Sequence, residues 1–208
     1  PALNAINAHV RQKPIQVSKE SCGGGLALIR CDGGGHYGYG QVKRMVALAR
    51  ALRDREGLGV VFAFNGTDDA RDIIRRAGFA AVSADHLSAV VAGQAPEILI
   101  LDGREGPSRA ELKTLARAIA VTAVIDDGSA RRLAADYAYY PPVPQARALD
   151  WNGAHTQARI GWEWALTGLN PNAVPRIAPV RPRRATVLRP TVLVAMGGSD
   201  PFGLTRRC

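Results

Sequence analysis

Between Leu26 and Ile125, short apolar runs alternate with stretches whose apolar residues recur every three or four positions. Leu26–Cys31, Val60–Phe64, Ile98–Leu101 and Val121–Ile125 are short and mostly apolar, the pattern of strands buried on both faces of a sheet. Ala80–Ser83 is a weaker strand of the same kind. Between them lie helical patterns. From Gln41 to Arg55, Val42, Met45, Val46, Ala49 and Leu52 share one face, while Lys43, Arg44, Arg50 and Arg53 fall mostly on the other, and Gly57 can stop the helix. Ala70, Ile73, Ile74 and Ala77 mark a second helix, with Thr67 or Asp68 as its N-cap. Leu87, Val90 and Val91 suggest a short third. Ser108-Arg109-Ala110-Glu111 is a capping box opening a fourth, with Leu112, Leu115, Ala116 and Ile119 inward.

Strands alternating with amphipathic helices predict an α/β fold, a Rossmann-like parallel sheet with flanking helices. Right-handed crossovers gather the loops after the strands on one edge, where such folds bind ligands. Asp32, Asp102 and Asp126 end their strands and are expected to face one crevice. Val121–Ile125 closes the predicted series, and after Pro141 the periodicity fades into a turn-rich region holding Trp151, Trp162 and Trp164. Thr191–Met196 then predicts a new strand, followed by Gly197-Gly198-Ser199-Asp200-Pro201. The expected organisation is a leader or upstream tail at 1–25, a Rossmann-like domain at 26–167, a Pro/Arg-rich linker at 168–190, and at 191–208 the first strand and glycine loop of an incomplete, truncated C-terminal nucleotide-binding domain.

Composition narrows the function classes. A net charge of +9 suggests nucleic acid, but seven arginines and one acid lie between Arg176 and Cys208, in a proline-rich stretch without interleaved aromatics. That distribution describes an extended linker, and no nucleic-acid partner is expected. No apolar run reaches the roughly 20 residues of a membrane span, and Pro1–Glu20 lacks the apolar segment of a secretory signal, so no membrane partner and a cytoplasmic location are expected. Cys22, Cys31 and Cys208 have no metal-ligand spacing, so neither a metal site nor a disulfide scaffold is expected.

The loop after the first strand reads Asp32-Gly33-Gly34-Gly35-His36-Tyr37-Gly38-Tyr39-Gly40-Gln41. Its glycines let backbone amides approach a ligand, and the helix N-terminus beyond favours phosphate or sugar hydroxyls. The spacing is neither a P-loop nor a dinucleotide fingerprint, because Asn65-Gly66 stand where an acidic residue would end the second strand. No cofactor is expected. Asp32 binds sugar hydroxyls or orients a base, or else caps its own loop. Asp126 and Asp127 either bind substrate or cap the turn at Gly128. Lys43 and Arg44 either reach a diphosphate or form a solvated helix face.

Arg30-Cys31-Asp32, Gly38-Tyr39-Gly40-Gln41-Val42-Lys43-Arg44 and the Ala47-Leu48-Ala49 helix resemble the opening of the UDP-sugar hydrolase of pseudaminic acid biosynthesis and related spore-coat polysaccharide biosynthesis proteins. Asp126-Asp127, the Gly161–Leu166 segment, and Met196-Gly197-Gly198-Ser199-Asp200-Pro201 with Leu204-Thr205 continue the likeness in order. The resemblance implies a GT-B-type two-domain architecture and a UDP-linked amino sugar as substrate. Water would attack the anomeric carbon and release UDP without a metal. It assigns Gly38, Tyr39, Gly40, Lys43, Arg44, Asp126, Asp127, Gly197, Gly198, Ser199 and Asp200 to substrate binding, and Asp32 to the catalytic group. Gln41 stands where the family has its histidine base; glutamine carries no titratable group, though it can orient water. His36, five residues earlier, is the candidate substitute. Thr167-Gly168-Leu169 and Tyr139-Tyr140 also replace an expected arginine and asparagine. The alternatives are a GT-B-type glycosyltransferase or UDP-sugar-binding relative without hydrolase activity, or an inactive truncated product.

Overall fold

The structure is a computed structural model and describes residues 25–166. Seven parallel strands form one sheet in the order β3-β2-β1-β4-β5-β6-β7. They are β1 (Leu26–Gly33), β2 (Gly59–Gly66), β3 (Ala80–Ser83), β4 (Ile98–Asp102), β5 (Val121–Ile125), β6 (Tyr137–Tyr140) and β7 (Gln157–Ile160). The helices are α1 (Gly40–Glu56), α2 (Asp68–Arg76), α3 (Leu87–Gln94), α4 (Arg109–Leu115) and the single turn α5 (Pro144–Arg147). The predicted α/β class and Rossmann-like parallel sheet are what the chain adopts.

Alternation along β1 divides the core. Ile29 and Cys31 point to the face covered by α1 and α2, where Val42, Met45, Ala49, Phe62, Phe64 and Ile74 pack. Leu28 points to the opposite face, against Leu87 and Val91 of α3 and Leu112 of α4. Each fully buried Leu, Ile, Phe or Met contributes roughly 1.5–3 kcal/mol. The chain builds outward from β1 to β3 and returns to place β4 on the other side of β1. The reversal between β1 and β4 is the topological switch point, where adjacent loops diverge and leave a crevice.

Local signals set the element ends. Gly57 takes a left-handed conformation and its amide closes α1 on Arg53 and Leu52. Thr67 is the N-cap residue of α2, without a side-chain cap bond. The Ser108/Glu111 capping box opens α4 in full. That helix is shorter than its periodicity predicts: it tightens into a 3-10 turn at Ala116–Ala118, and Ile119 is buried beyond it.

The sheet does not close at β5, as the sequence pattern predicts; β6 and β7 extend it. Tyr137–Tyr140 buries only alternate residues, and Gln157–Ile160 is an edge strand with three exposed positions. Neither needs the continuous apolar run that marks a central strand, so both escape a reading by hydrophobic pattern. No helix among the described residues is long and apolar enough to cross a membrane. The 1–25 leader but for Gly25, the 168–190 linker and the 191–208 strand and loop, with Gly197, Gly198, Ser199 and Asp200, lie outside the described residues.

Candidate functional site

A cavity of about 450 Å³ opens at the C-terminal edge of the sheet, beside the switch point. The start of α1 supplies Gly40, Gln41 and Arg44; the end of β4 and its loop supply Asp102, Gly103 and Arg104; the turn after β5 supplies Asp126, Asp127, Ser129 and Arg131. Tyr37 closes one side. The first bond within α1 runs from the Lys43 amide to the Tyr39 carbonyl at 3.0 Å. The amides of Gly40, Gln41 and Val42 precede it and have no partner inside the helix, leaving a positive dipole end at the cavity wall.

Arg44 organises the centre. Its Nε and Nη2 donate to the two oxygens of Asp102, each at 2.5 Å, and Nη1 lies 3.6 Å from Asp126 Oδ2. Asp102 is 1% exposed and Arg44 25%. Burial pushes the Asp102 carboxyl above the usual aspartate range; the hydrogen bonds and charge of Arg44 pull it down without cancelling that effect. Asp126 is 44% exposed and adopts a positive φ of 53°, so the turn holds its carboxylate out into the cavity at the expense of backbone strain.

Asp127 has a different task. Its Oδ1 accepts from the Ser129 amide at 2.8 Å and its Oδ2 from Arg131 Nε at 2.5 Å, while its carbonyl accepts from the Tyr140 hydroxyl at 2.6 Å. Arg131 also donates through Nη2 to the Gly103 carbonyl at 2.7 Å, tying the β4 loop to the β5 turn. Of the paired acids, Asp126 is presented and Asp127 builds the turn that presents it.

The expectation that Asp32, Asp102 and Asp126 share one crevice holds for two of the three. Strand alternation points Asp32 to the face opposite Asp102. There it is wholly buried, accepting from Arg30 Nη1 at 2.6 Å and from the Glu105 amide at 3.2 Å. Of its two readings, the geometry gives loop anchoring. Gly103 permits this closeness, because a Cβ there would stand 2.6 Å from Asp32 Oδ2.

The glycine loop folds on itself. The Gly34 amide donates to the Gly38 carbonyl at 2.7 Å, and the Tyr37 and Gly38 amides turn back to Gly34 and Gly35. Gly38 therefore shapes the loop and does not line the cavity. The Tyr39 hydroxyl donates to Asp69, pinning the loop to α2 and away from the cavity. His36 is exposed and packs on the Tyr37 ring, also outside the cavity lining. Lys43 is exposed and lines an adjoining groove of about 500 Å³ with Arg50 and Leu166, which shares Gly40 and Arg44 with the cavity. Gln41 lines the cavity, and its Oε1 is buried without a hydrogen-bond partner. Cys31, deep in the sheet, is held as a neutral thiol by burial.

Tyr37, Arg104 and Arg131 are among the cavity residues that lie outside the sequence-based assignment. Arg131 had a legible signal, the i, i+4 spacing from Asp127; Arg104 sits in a loop with no pattern. The Tyr37 hydroxyl is pushed up chiefly by the Glu105 carboxylate beside it. Among the described residues no group of three or more His, Cys, Asp or Glu side chains is arranged to hold a metal ion. Neither a scan against protein-family models nor a search of curated proteins gives a match.

Proposed function

We propose that this chain is a nucleotide-sugar-processing protein of the UDP-sugar hydrolase type, cytoplasmic and working in bacterial-type surface-glycan or nonulosonate biosynthesis. In this reading the described domain is the sugar-holding half of a GT-B-type enzyme. The observation that carries the reading is the convergence of Gly40, Gln41, Arg44 and Asp126 on one cavity at the switch point. Free amides at the start of α1 suit a sugar diphosphate, and the Asp126 carboxylate suits sugar hydroxyls.

Hydrolysis requires water to form a bond to the anomeric carbon while the bond to UDP breaks and UDP keeps the electron pair. Gln41 can hold that water but cannot take its proton. Asp126 is the exposed carboxylate of the cavity and serves as the proton acceptor in this scheme. A second reading, a glycosyltransferase or UDP-sugar-binding relative without hydrolysis, is favoured by the amide at position 41.

The test is UDP release from UDP-linked diacetamido sugars. The hydrolase reading expects slow release that increases about 10²-fold or more in Gln41→His, the usual worth of a positioned base. A Gln41→His protein that binds the sugar nucleotide normally and releases no UDP refutes that reading and leaves the binding one.

A further inference from the structure

A second cavity, about 660 Å³, lies on the other face of the same sheet edge. The β4–α4 loop divides the two: Arg104 lines the first and Glu105 the second. At the floor of the second is Arg30, a charged residue in the middle of a fully buried strand and only 4% exposed. Its Nη1 is committed to Asp32. The rest of its guanidinium has no hydrogen-bond partner among the described residues and forms part of the cavity wall. Donors turned to a cavity are open to water and equally able to bond an oxygen-bearing ligand.

Charge identifies the class of that ligand. Arg30 and the wholly buried Asp32 form a neutral pair, so a phosphate or carboxylate set against Arg30 would leave one uncompensated negative charge at the floor. The rim adds Asp85, Glu105 and Glu111, exposed carboxylates that repel an anion; one Asp85 oxygen already accepts from the Ser83 hydroxyl and one Glu111 oxygen from the Ser108 amide, leaving the other oxygen of each to accept from hydroxyl or ammonium groups. Asn65, at the end of β2, contributes an amide able both to donate and to accept. Pro107, Ala110 and Leu115 give one wall an apolar surface. Donors at the floor, acceptors at the rim and an apolar wall match a ring with hydroxyls at its edge and C–H groups on its face.

We propose that this second cavity is a binding site for a neutral or amino-bearing sugar ring, separate from the cavity that faces Arg44. The inference does not depend on the nucleotide-sugar reading, because it uses none of the same residues. A site of this kind beside a sugar-nucleotide cavity would hold a second glycan unit.

The experiment is a chemical-shift titration of the ¹⁵N-labelled 208-residue chain with four probes: N-acetylglucosamine, glucosamine, glucuronate and inorganic phosphate. The expected result is saturable shifts at the amides of Asn65, Ser88 and Thr114 with the two uncharged or cationic sugars, and much weaker ones with the two anions. Ala110→Trp, which fills the cavity from the exposed side of α4, should abolish them. Gln41→Ala, in the first cavity, should leave them unchanged. Should Ala110→Trp fail to give a folded spectrum, Thr114→Phe blocks the cavity from the next turn. No saturable shift with either sugar, a stronger response to phosphate or glucuronate, or shifts that survive the cavity-filling variant would each overturn the proposal. Failure here leaves UDP release untouched, and failure of UDP release leaves this titration untouched.

Discussion

Replacing Arg44 by methionine removes the counter-charge of Asp102 while keeping most of the volume of the side chain. Asp102 is 1% exposed and takes both its strong hydrogen bonds from that guanidinium. Removing one partner of a buried pair costs about 3–5 kcal/mol. Arg44 is a quarter exposed, so water reaches the gap and the cost should fall at the low end, about 3 kcal/mol. That is a large share of the roughly 5–15 kcal/mol that holds a domain together. The pH dependence follows from Asp102. Its native carboxyl sits above the ordinary value, chiefly through burial, so the folded state binds this proton more tightly than the unfolded chain. Its contribution to stability is therefore greatest below the unfolded value of about 3.9 and declines as pH rises toward the native value. Loss of Arg44 raises the native value further. The deficit of Arg44→Met should accordingly be small in acid and grow toward neutrality. Urea unfolding followed by circular dichroism at about pH 5 and about pH 8 measures it. The double variant Arg44→Met, Asp102→Leu should recover most of the loss, because no buried charge remains. A cost under about 1 kcal/mol at neutral pH, the range of a surface pair, or a deficit independent of pH, would refute the assignment of Arg44 as the counter-ion of Asp102.

Two further substitutions test how the site is held. Gly34 has φ 79° and ψ 173°, a region closed to side chains, and a Cβ there would overlap the Thr67 hydroxyl; Gly34→Ala should cost about 1–3 kcal/mol or more, read as a lower urea midpoint. Ser108→Ala breaks the capping box that starts α4 and should cost about 1 kcal/mol, visible as a drop of about 2–4 °C in Tm.

The central sheet was legible because β1, β2, β4 and β5 are buried on both faces and must be apolar along their length. The outer strands were not, because Tyr137–Tyr140 and Gln157–Ile160 each satisfy one face at most. The same physics governs the site. Asp102 and Asp126 were placed correctly by their position at strand ends. Asp32 was not, because its facing depends on a one-residue step in strand alternation: Cys31 and Asp102 share a face, and Asp32 takes the other. His36 and Lys43 were reasonable candidates by residue type, yet loop closure through Gly34 and Gly38 and the helical rotation of α1 turn them from the cavity. Arg44, one residue after Lys43, is turned into it. The division of labour between Asp126 and Asp127 lies in backbone geometry, the positive φ of one and the turn bonds of the other, which no sequence pattern records.

The central claim, that the cavity between α1 and the β4 and β5 loops receives a sugar nucleotide, is tested most directly by titrating a UDP-linked diacetamido sugar into the ¹⁵N-labelled chain. Saturable shifts are expected at the amides of Gly40, Gln41, Gly103, Arg104 and Asp126, with the Arg44 Nε resonance moving as the Asp102 pair readjusts. A saturating ligand that leaves these resonances in place would contradict that claim.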